Sequence, residues 1–176
     1  GNYKLFANGE LVATLNKSDF RFFDDITGLD TVTLGGTVRG GQMKYPFGGT
    51  IGKAEVYDAV LDDQTLIAAT ENGSSGGDVS FTKDNVSVSA GSVVDLTSEA
   101  SGVLGMTEGT ILVRYTSTSS NAYQSLFSVS NSTSGNQDRH FHLYVTPGGV
   151  LGFELRNTDA VMKYTGSRAS AVRVSY

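Results

Sequence analysis

Polar and charged side chains recur at every second position in two neighbouring segments of the chain. His140, His142 and Tyr144 alternate with apolar residues in the first segment, and Glu154 and Arg156 alternate with apolar residues in the second. Because side chains of a β-strand point alternately to opposite faces, each set would share one face. A guanidinium, a carboxylate and aromatic rings on one face are typical of a surface that binds a polar, charged ligand such as an anionic sugar.

A predicted hairpin over residues 138–157 would hold these side chains together. Pro147-Gly148-Gly149 is typical of its turn. A one-residue slip in register would place Leu143 beside Glu154 and mix apolar with polar side chains on both faces. The expected pairs are therefore Tyr144 with Gly152, His142 with Glu154 and His140 with Arg156, and the expected core face carries Phe141, Leu143, Val145, Leu151, Phe153 and Leu155.

A simpler interpretation is that the polar face of this hairpin only meets water. One face of an antiparallel sheet is often solvated, and Glu154 and Arg156 would then be exposed charges. Periodicity alone favours this interpretation. Gly152 argues for a site, because the missing side chain opposite Tyr144 leaves a floor that a ligand can approach.

The composition indicates a single all-β domain. The chain has 176 residues, 22 of them glycine, and many segments alternate apolar with polar residues. The net charge of −5 provides no basic surface, so we expect no nucleic acid partner. Cysteine is absent from the sequence, which excludes disulfides and cysteine-based metal sites. No transmembrane run or signal peptide is visible, so we expect no membrane insertion.

A Gly- and Ser-rich segment, residues 72–78, is predicted to be a linker between parts 1–71 and 79–176. Asn8-Gly9 predicts a tight hairpin, since both turn positions need positive φ. Leu61–Ala69 is the predicted helix, with acidic residues at its start. Many strands with one short helix indicate a β-sandwich. The strand predictions are 30–34, 49–57, 79–82, 86–89, 93–96, 109–116, 123–130, 161–165 and 171–175, besides the hairpins.

Several motifs together resemble a known family. They are YKLFANG at 3–9, VTLGG at 32–36, YPFGG at 45–49, YQSLFSVS at 123–130, HFHLYV at 140–145 and GFELR at 152–156. The chain thereby resembles the sialic-acid-binding carbohydrate-binding module of family 40, the lectin-like domain of bacterial sialidases. The resemblance implies a concanavalin-like jelly-roll β-sandwich.

The order of the segments differs from that family. The segment resembling the family's first part is 79–176, and the segment resembling its second part is 1–71. A circular permutant with the linker joining the original ends is the favoured interpretation, and a natural linker between two half-domains is the alternative. The family also has a further strand between these parts, for which this sequence shows no counterpart.

The resemblance implies a ligand site for sialic acid. Arg156 and Arg39 match the two arginines that hold the sugar carboxylate, and Glu154 matches the glutamate on the polar edge of the sugar. Tyr144, Tyr45 and Tyr123 match aromatic or apolar walls. Guanidinium forks suit a carboxylate, and tyrosine rings suit an acetyl methyl group. Taken singly, Arg39 would be an exposed loop charge and Tyr45 a loop-packing residue.

No metal or other cofactor is expected. His140 and His142 could approach a metal, but further ligands in fixed geometry would be needed, so both are predicted to be solvated or to support the site from behind. Asp24-Asp25, Asp62-Asp63 and Asp78 lack the spacing of a calcium loop.

The sequence predicts a binding domain and not an enzyme. It contains no Trp, no aspartate-box repeat and no Glu-x-Asp-x-x-Glu strand. Its Gly-x-Ser-x-Gly run, residues 73–77, lies in the predicted linker and offers no strand-to-helix nucleophile turn. The expected partners are sialylated glycans. We expect the protein to be a monomer or weak oligomer. The resemblance implies that it is secreted or on the cell surface. The competing hypothesis is a laminin-G-like adhesion or structural domain that binds a protein partner.

Overall fold

Short alternating segments form β-strands through most of the chain. A computed structural model describes residues 2–16, 22–72, 78–118, 121–133, 139–157, 160–168 and 171–175. The predicted linker falls largely outside these residues. The strands are β1 (Asn2–Ala7), β2 (Glu10–Asn16), β3 (Thr31–Leu34), β4 (Thr37–Arg39), β5 (Gln42–Lys44), β6 (Gly49–Tyr57), β7 (Val79–Val88), β8 (Val94–Asp95), β9 (Thr110–Ser117), β10 (Gln124–Ser130), β11 (Arg139–Val145), β12 (Val150–Asn157), β13 (Ala160–Arg168) and β14 (Ala171–Ser175).

These strands build two large antiparallel sheets. The first sheet has the order β2-β1-β14-β9-β6-β7, the second has the order β13-β12-β11-β10-β3-β8, and β4 and β5 form a separate small hairpin. Each large sheet takes strands from before and after the predicted linker. The predicted all-β sandwich with one short helix is confirmed.

One apolar core lies between the two sheets. Tyr3 of the first sheet stacks on Phe153 of the second, with ring centroids 6.1 Å apart. Phe23, in a 3₁₀ turn, contacts Phe141 edge-on at 5.5 Å. Burying each such ring stabilises the fold by about 1.5–3 kcal/mol. Because each of these pairs joins a ring from before the predicted linker to a ring from after it, the core connects both parts of the chain. The six residues predicted for the core face of the β11–β12 hairpin all lie in this core.

The tight turns follow from residues that adopt positive φ. Asn8 and Gly9, at φ 51° and 85°, join β1 to β2, as predicted. Gly148 and Gly149, at φ 88° and 78°, close the loop between β11 and β12. The predicted register of that hairpin is confirmed: Tyr144 pairs with Gly152, His142 with Glu154 and His140 with Arg156.

β14 and β1 lie next to each other in the first sheet. Lys4 pairs with Ser175, so the sheet has no open strand position between them. The further strand that the resemblance implied at this point is therefore not needed to complete the sheet.

Several element boundaries differ from the predictions, most clearly those of the helix and of β7. The helix α1 spans Asp63–Asn72, because the Asp62 carboxylate accepts the backbone N–H of Thr65 at 2.9 Å and caps a helix that starts after it. Segments 79–82 and 86–89 belong to one strand, β7, because β6 pairs along its whole length. No helix in the described part of the chain is long and apolar enough to cross a membrane.

Candidate functional site

The β4–β5 hairpin covers part of the outer face of the second sheet. Ser128 of β10 donates to the Thr37 hydroxyl at 2.8 Å, and Ser130 donates to the Val38 carbonyl at 2.8 Å. These bonds fix β4, which ends at Arg39, against the sheet. The sequence predictions missed this hairpin. The available signal was the pair Gly40-Gly41, which takes φ of 58° and 68° between two short polar runs.

Tyr45 follows the hairpin in an unusual backbone conformation. Its φ is 51°, which non-glycine residues rarely adopt. The Ser125 backbone N–H donates to the Tyr45 carbonyl at 2.8 Å and holds this conformation. The ring then lies beside the Arg39 guanidinium, 5.2 Å from its central carbon, in a cation–π arrangement.

A pocket of about 180 Å³ opens on this outer face. The structure brings all of the predicted site residues together there, and it adds His142, which the predictions had not placed among the ligand-binding residues. That these residues bind a ligand remains a prediction. The lining residues are Arg39, Tyr45, Tyr123, His142, Tyr144, Glu154 and Arg156.

Aromatic rings form one wall of the pocket. The His142 ring stacks between Tyr144, at 4.7 Å, and Tyr45, at 5.6 Å. Tyr123 lies 6.0 Å from Tyr144 at the rim and remains 47% exposed. The alternation of His142 and Tyr144 along β11 was the sequence signal that could have assigned His142 to the pocket.

Charged groups form the other wall and are linked by hydrogen bonds. Arg156 Nε donates to Glu154 Oε1 at 2.8 Å. His140 Nε2 lies 3.2 Å from the same oxygen. The His140 ring also contacts Arg39 Nη1, at 3.2 Å from Nδ1 and 3.1 Å from Nε2. Both arginines are thus connected through His140 and Glu154.

The surroundings keep the Glu154 carboxylate ionised. Burial alone would raise the pKa of this carboxyl, but the His140 hydrogen bond and electrostatic interactions with His142 and Arg156 lower it well below its usual range. Burial lowers the pKa of the Arg39 guanidinium, an effect that Tyr45 and Glu154 oppose. Arginine nevertheless stays charged at any physiological pH. The pocket therefore carries two positive charges and one negative charge.

The structure corrects the interpretation of this face as a solvated one. His140 is fully buried and His142 is 5% exposed, so neither histidine is solvated. Arg39 is 4% exposed and is not an exposed loop charge. The physical reason is the β4–β5 hairpin, which packs over a face that would otherwise meet water. Arg156 alone of these charged groups keeps a substantial exposed fraction, 25% of its side chain.

Three residues of this network could approach a metal ion. Ligand atoms of His140, His142 and Glu154 lie within 4.8 Å of one another. However, Arg39 contacts the His140 ring and Arg156 binds the Glu154 carboxylate. A cation would have to enter beside two guanidinium groups, which electrostatic repulsion opposes. The arrangement therefore suits an anionic ligand better than a metal.

Comparisons with known proteins identify related sequences. The family model described as "Sialidase, N-terminal domain" matches residues 1–73 and, separately, 74–176. An anhydrosialidase of Macrobdella decora is 54% identical over 96 residues, which are 53% of this chain and 13% of that protein. The chain thus spans a small part of this relative. No solved structure matches the chain significantly.

The match to the anhydrosialidase corrects the prediction that the protein is not an enzyme. The relative is an enzyme. The motif argument failed for a simple reason: it concerned 176 residues, whereas the matched segment is 13% of the length of the relative. The absence of catalytic motifs in such a segment has no bearing on a longer polypeptide.

Proposed function

Because the chain belongs to the sialidase N-terminal domain family, we propose that it binds terminal sialic acid on glycans, as carbohydrate-binding modules of family 40 do. Arg39 and Arg156 bind the sugar carboxylate. The proposed binding mode is that of a lectin in which two guanidinium groups select an acidic sugar over a neutral one.

The state of Arg39 is the observation that carries this proposal. Its guanidinium is almost fully buried, yet within the described ranges it forms no ion pair with a carboxylate, and its Nε has no hydrogen-bond acceptor. Burying a charge without a counter-charge is costly, by several kcal/mol. Because Arg39 and Arg156 line the same pocket, one bound carboxylate would supply acceptors to both. An anionic ligand therefore completes the site electrostatically.

The other lining residues have roles that match a sugar. Glu154 holds Arg156 through its Nε and lines the pocket, where a carboxylate can accept a hydrogen bond from a hydroxyl or amide N–H of the ligand. Tyr45 and Tyr144 pack against apolar parts such as an acetyl methyl group, and Tyr123 extends this wall at the rim. A single sugar of this kind buries little area, so we expect a Kd of about 10 µM to 1 mM.

We also propose that residues 1–176 form one circularly permuted domain. The separate matches of the family model to 1–73 and 74–176 support this. So does the strand order, in which both segments contribute to both large sheets. Residues 72–78 would then connect the family's original ends.

The match to an anhydrosialidase suggests the setting in which the domain works. We propose that the domain supplies glycan binding to a sialidase polypeptide that is secreted or on the cell surface. Sialylated glycans at the cell surface are then its partners.

A glycan array tests the proposed function. We expect the protein to bind sialylated glycans and to lose this binding when the array is first treated with a sialidase. Free sialic acid should compete, whereas galactose, a neutral sugar, should not. Binding that survives sialidase treatment, or that free sialic acid leaves unchanged, would contradict the proposal and favour a protein-binding adhesion domain.

A further inference from the structure

His140 lies behind the pocket and does not line it. The residue is fully buried on β11, so it has no surface with which to touch a ligand. Its ring lies between Arg39, carried by the β4–β5 hairpin, and Glu154, carried by β12. Any influence of His140 on a ligand must therefore pass through its neighbours in the pocket, which are these two residues and His142, whose ring lies edge-on at 5.2 Å.

The partners of His140 determine its protonation and tautomer. Burial lowers the pKa of the ring below its ordinary value; the hydrogen bond with Glu154 opposes this, and the charge of Arg39 reinforces it. A neutral imidazole has one donor and one acceptor nitrogen. Because a carboxylate only accepts, Nε2 carries the hydrogen toward Glu154. Arg39 Nη1 lies against the ring, within 3.2 Å of both nitrogens, and of these two only the unprotonated Nδ1 can accept from it.

The resulting hydrogen bonds run in one direction from each arginine. Arg39 donates to His140, His140 donates to Glu154, and Arg156 also donates to Glu154. The Arg39 guanidinium on the β4–β5 hairpin and the Arg156 guanidinium on β12 are thus held in a fixed relative position. Without the ring, the contact from Arg39 to this network would be lost.

We propose that His140 is a positioning residue whose neutral ring aligns Arg39 with Arg156 so that both grip one ligand carboxylate. This inference rests on the proposed function. It adds a consequence of its own: a protonated ring has no acceptor for Arg39 and repels it. The groups facing the ring are Arg39 from β4, His142 from β11, and Glu154 and Arg156 from β12.

Acidification should therefore weaken binding through His140. A sialic acid carboxylate stays ionised over the range in which histidine titrates, so the ligand itself does not change charge. As the pH falls below the range in which an ordinary histidine titrates, protonation of the ring releases Arg39 and the affinity drops. Replacing His140 by Gln should flatten this dependence, because the amide keeps a donor and an acceptor but does not titrate.

The test measures the affinity of the α-methyl glycoside of N-acetylneuraminic acid by calorimetry for the parent, His140→Phe and His140→Gln. We expect His140→Phe to weaken binding roughly tenfold or more near pH 7, and His140→Gln to recover part of this loss. The control is Thr110→Val. Thr110 belongs to β9 in the first sheet, and its buried hydroxyl donates to the Ala59 carbonyl. This substitution should lower stability without changing affinity.

The outcomes separate this inference from the proposed function. A parent that does not bind the glycoside would overturn both. If the parent binds the glycoside, and His140→Phe is folded and binds it with the same affinity, the positioning role alone would be overturned. Where His140→Phe fails to fold, the pH profile of His140→Gln decides. A flattened profile supports the role, and a profile like that of the parent overturns it, because another group such as His142 would then be titrating.

Discussion

Arg39 carries its positive charge in a position that is almost fully buried from solvent. Its guanidinium contacts the His140 imidazole and a tyrosine ring, while Arg156 is paired with a carboxylate and partly exposed. A buried cation without a carboxylate partner is a poor way to stabilise a fold, since hydrophobic residues of similar size often stabilise more. Such residues are typical of binding sites, where a ligand completes the electrostatics.

The first prediction concerns the two arginines. We expect Arg39→Ala and Arg156→Ala each to cost about 2 kcal/mol or more, roughly thirtyfold in Kd for sialyl-lactose, because a charge-assisted hydrogen bond is lost. Arg39→Lys should also weaken binding, since it keeps the charge but loses the planar fork. Calorimetric titration measures these changes.

The matched control for the arginine variants is Lys83→Ala. Lys83 is a cation on the first sheet, paired with Glu99, so its removal should leave the affinity unchanged. A methyl ester of the ligand carboxylate should bind as poorly to the parent as the acid binds to Arg39→Ala. An ester that binds as tightly as the acid would show that the arginines do not hold the carboxylate.

The second prediction concerns Glu154 and acid stability. The folded-state pKa of this carboxyl is lowered, so its ionised form contributes stability above its unfolded pKa of about 4.3 and loses it as the pH falls further. Glu154→Gln removes this contribution. We expect the free energy of unfolding of the variant to fall less steeply between about pH 5 and 3 than that of the parent. Urea unfolding at several pH values measures both slopes, and identical slopes would contradict the prediction.

The β4–β5 hairpin decides the chemistry of the outer face of the second sheet. It buries the hydroxyls of Ser128 and Ser130 against Thr37 and Val38. It also places Arg39 and, just beyond β5, Tyr45 over strands that lie far away in the sequence. A face with alternating polar residues thus becomes a pocket because a second element covers it.

The third prediction tests the turn of this hairpin. Gly41 has φ of 68° and open space around its Cα, so Gly41→Ala meets no clash and only the backbone conformation opposes it. We expect a loss of about 1 kcal/mol in unfolding free energy and weaker binding, because Arg39 is displaced with the turn. Gly102→Ala is the control, since that glycine also has open space and its φ is not positive. Equal stability of both variants would contradict the argument.

The two parts of the chain share one core. Tyr3 and Val32 from the first part pack in the same cluster as Val113, Phe141 and Phe153 from the second. Neither part contains a complete large sheet, because strands of both parts contribute to each of the two large sheets. The whole molecule is therefore expected to fold as one cooperative unit.

The fourth prediction concerns this cooperativity. Expressed alone, segments 1–72 and 78–176 should remain unfolded, since each leaves its half of the core exposed and its strand edges unpaired. Mixed together, they should recover a dispersed NMR spectrum and sialic acid binding. A cooperative thermal transition in either segment alone would contradict the single shared core and the proposed circular permutation.

Several local elements could be predicted from the amino-acid pattern alone. The register of the β11–β12 hairpin followed from its apolar pattern, because a slip would have mixed Leu143 with Glu154. The Asn8-Gly9 turn followed from the positive φ that it requires. The resemblance to a family selected the six predicted pocket residues, including Arg39 and Tyr45, whose local sequence is otherwise typical of an ordinary loop.

The burial of the polar side chains depends on tertiary packing and could not be predicted from the local sequence. His140 and Arg39 are 101 residues apart, and nothing near either one reveals the other. The β4–β5 hairpin covers the outer face of the second sheet, so His140 loses contact with water and Arg39 is left without a carboxylate partner among the described residues. Alternation along a strand tells which residues share a face, but burial depends on what packs against that face, and here a distant segment does so.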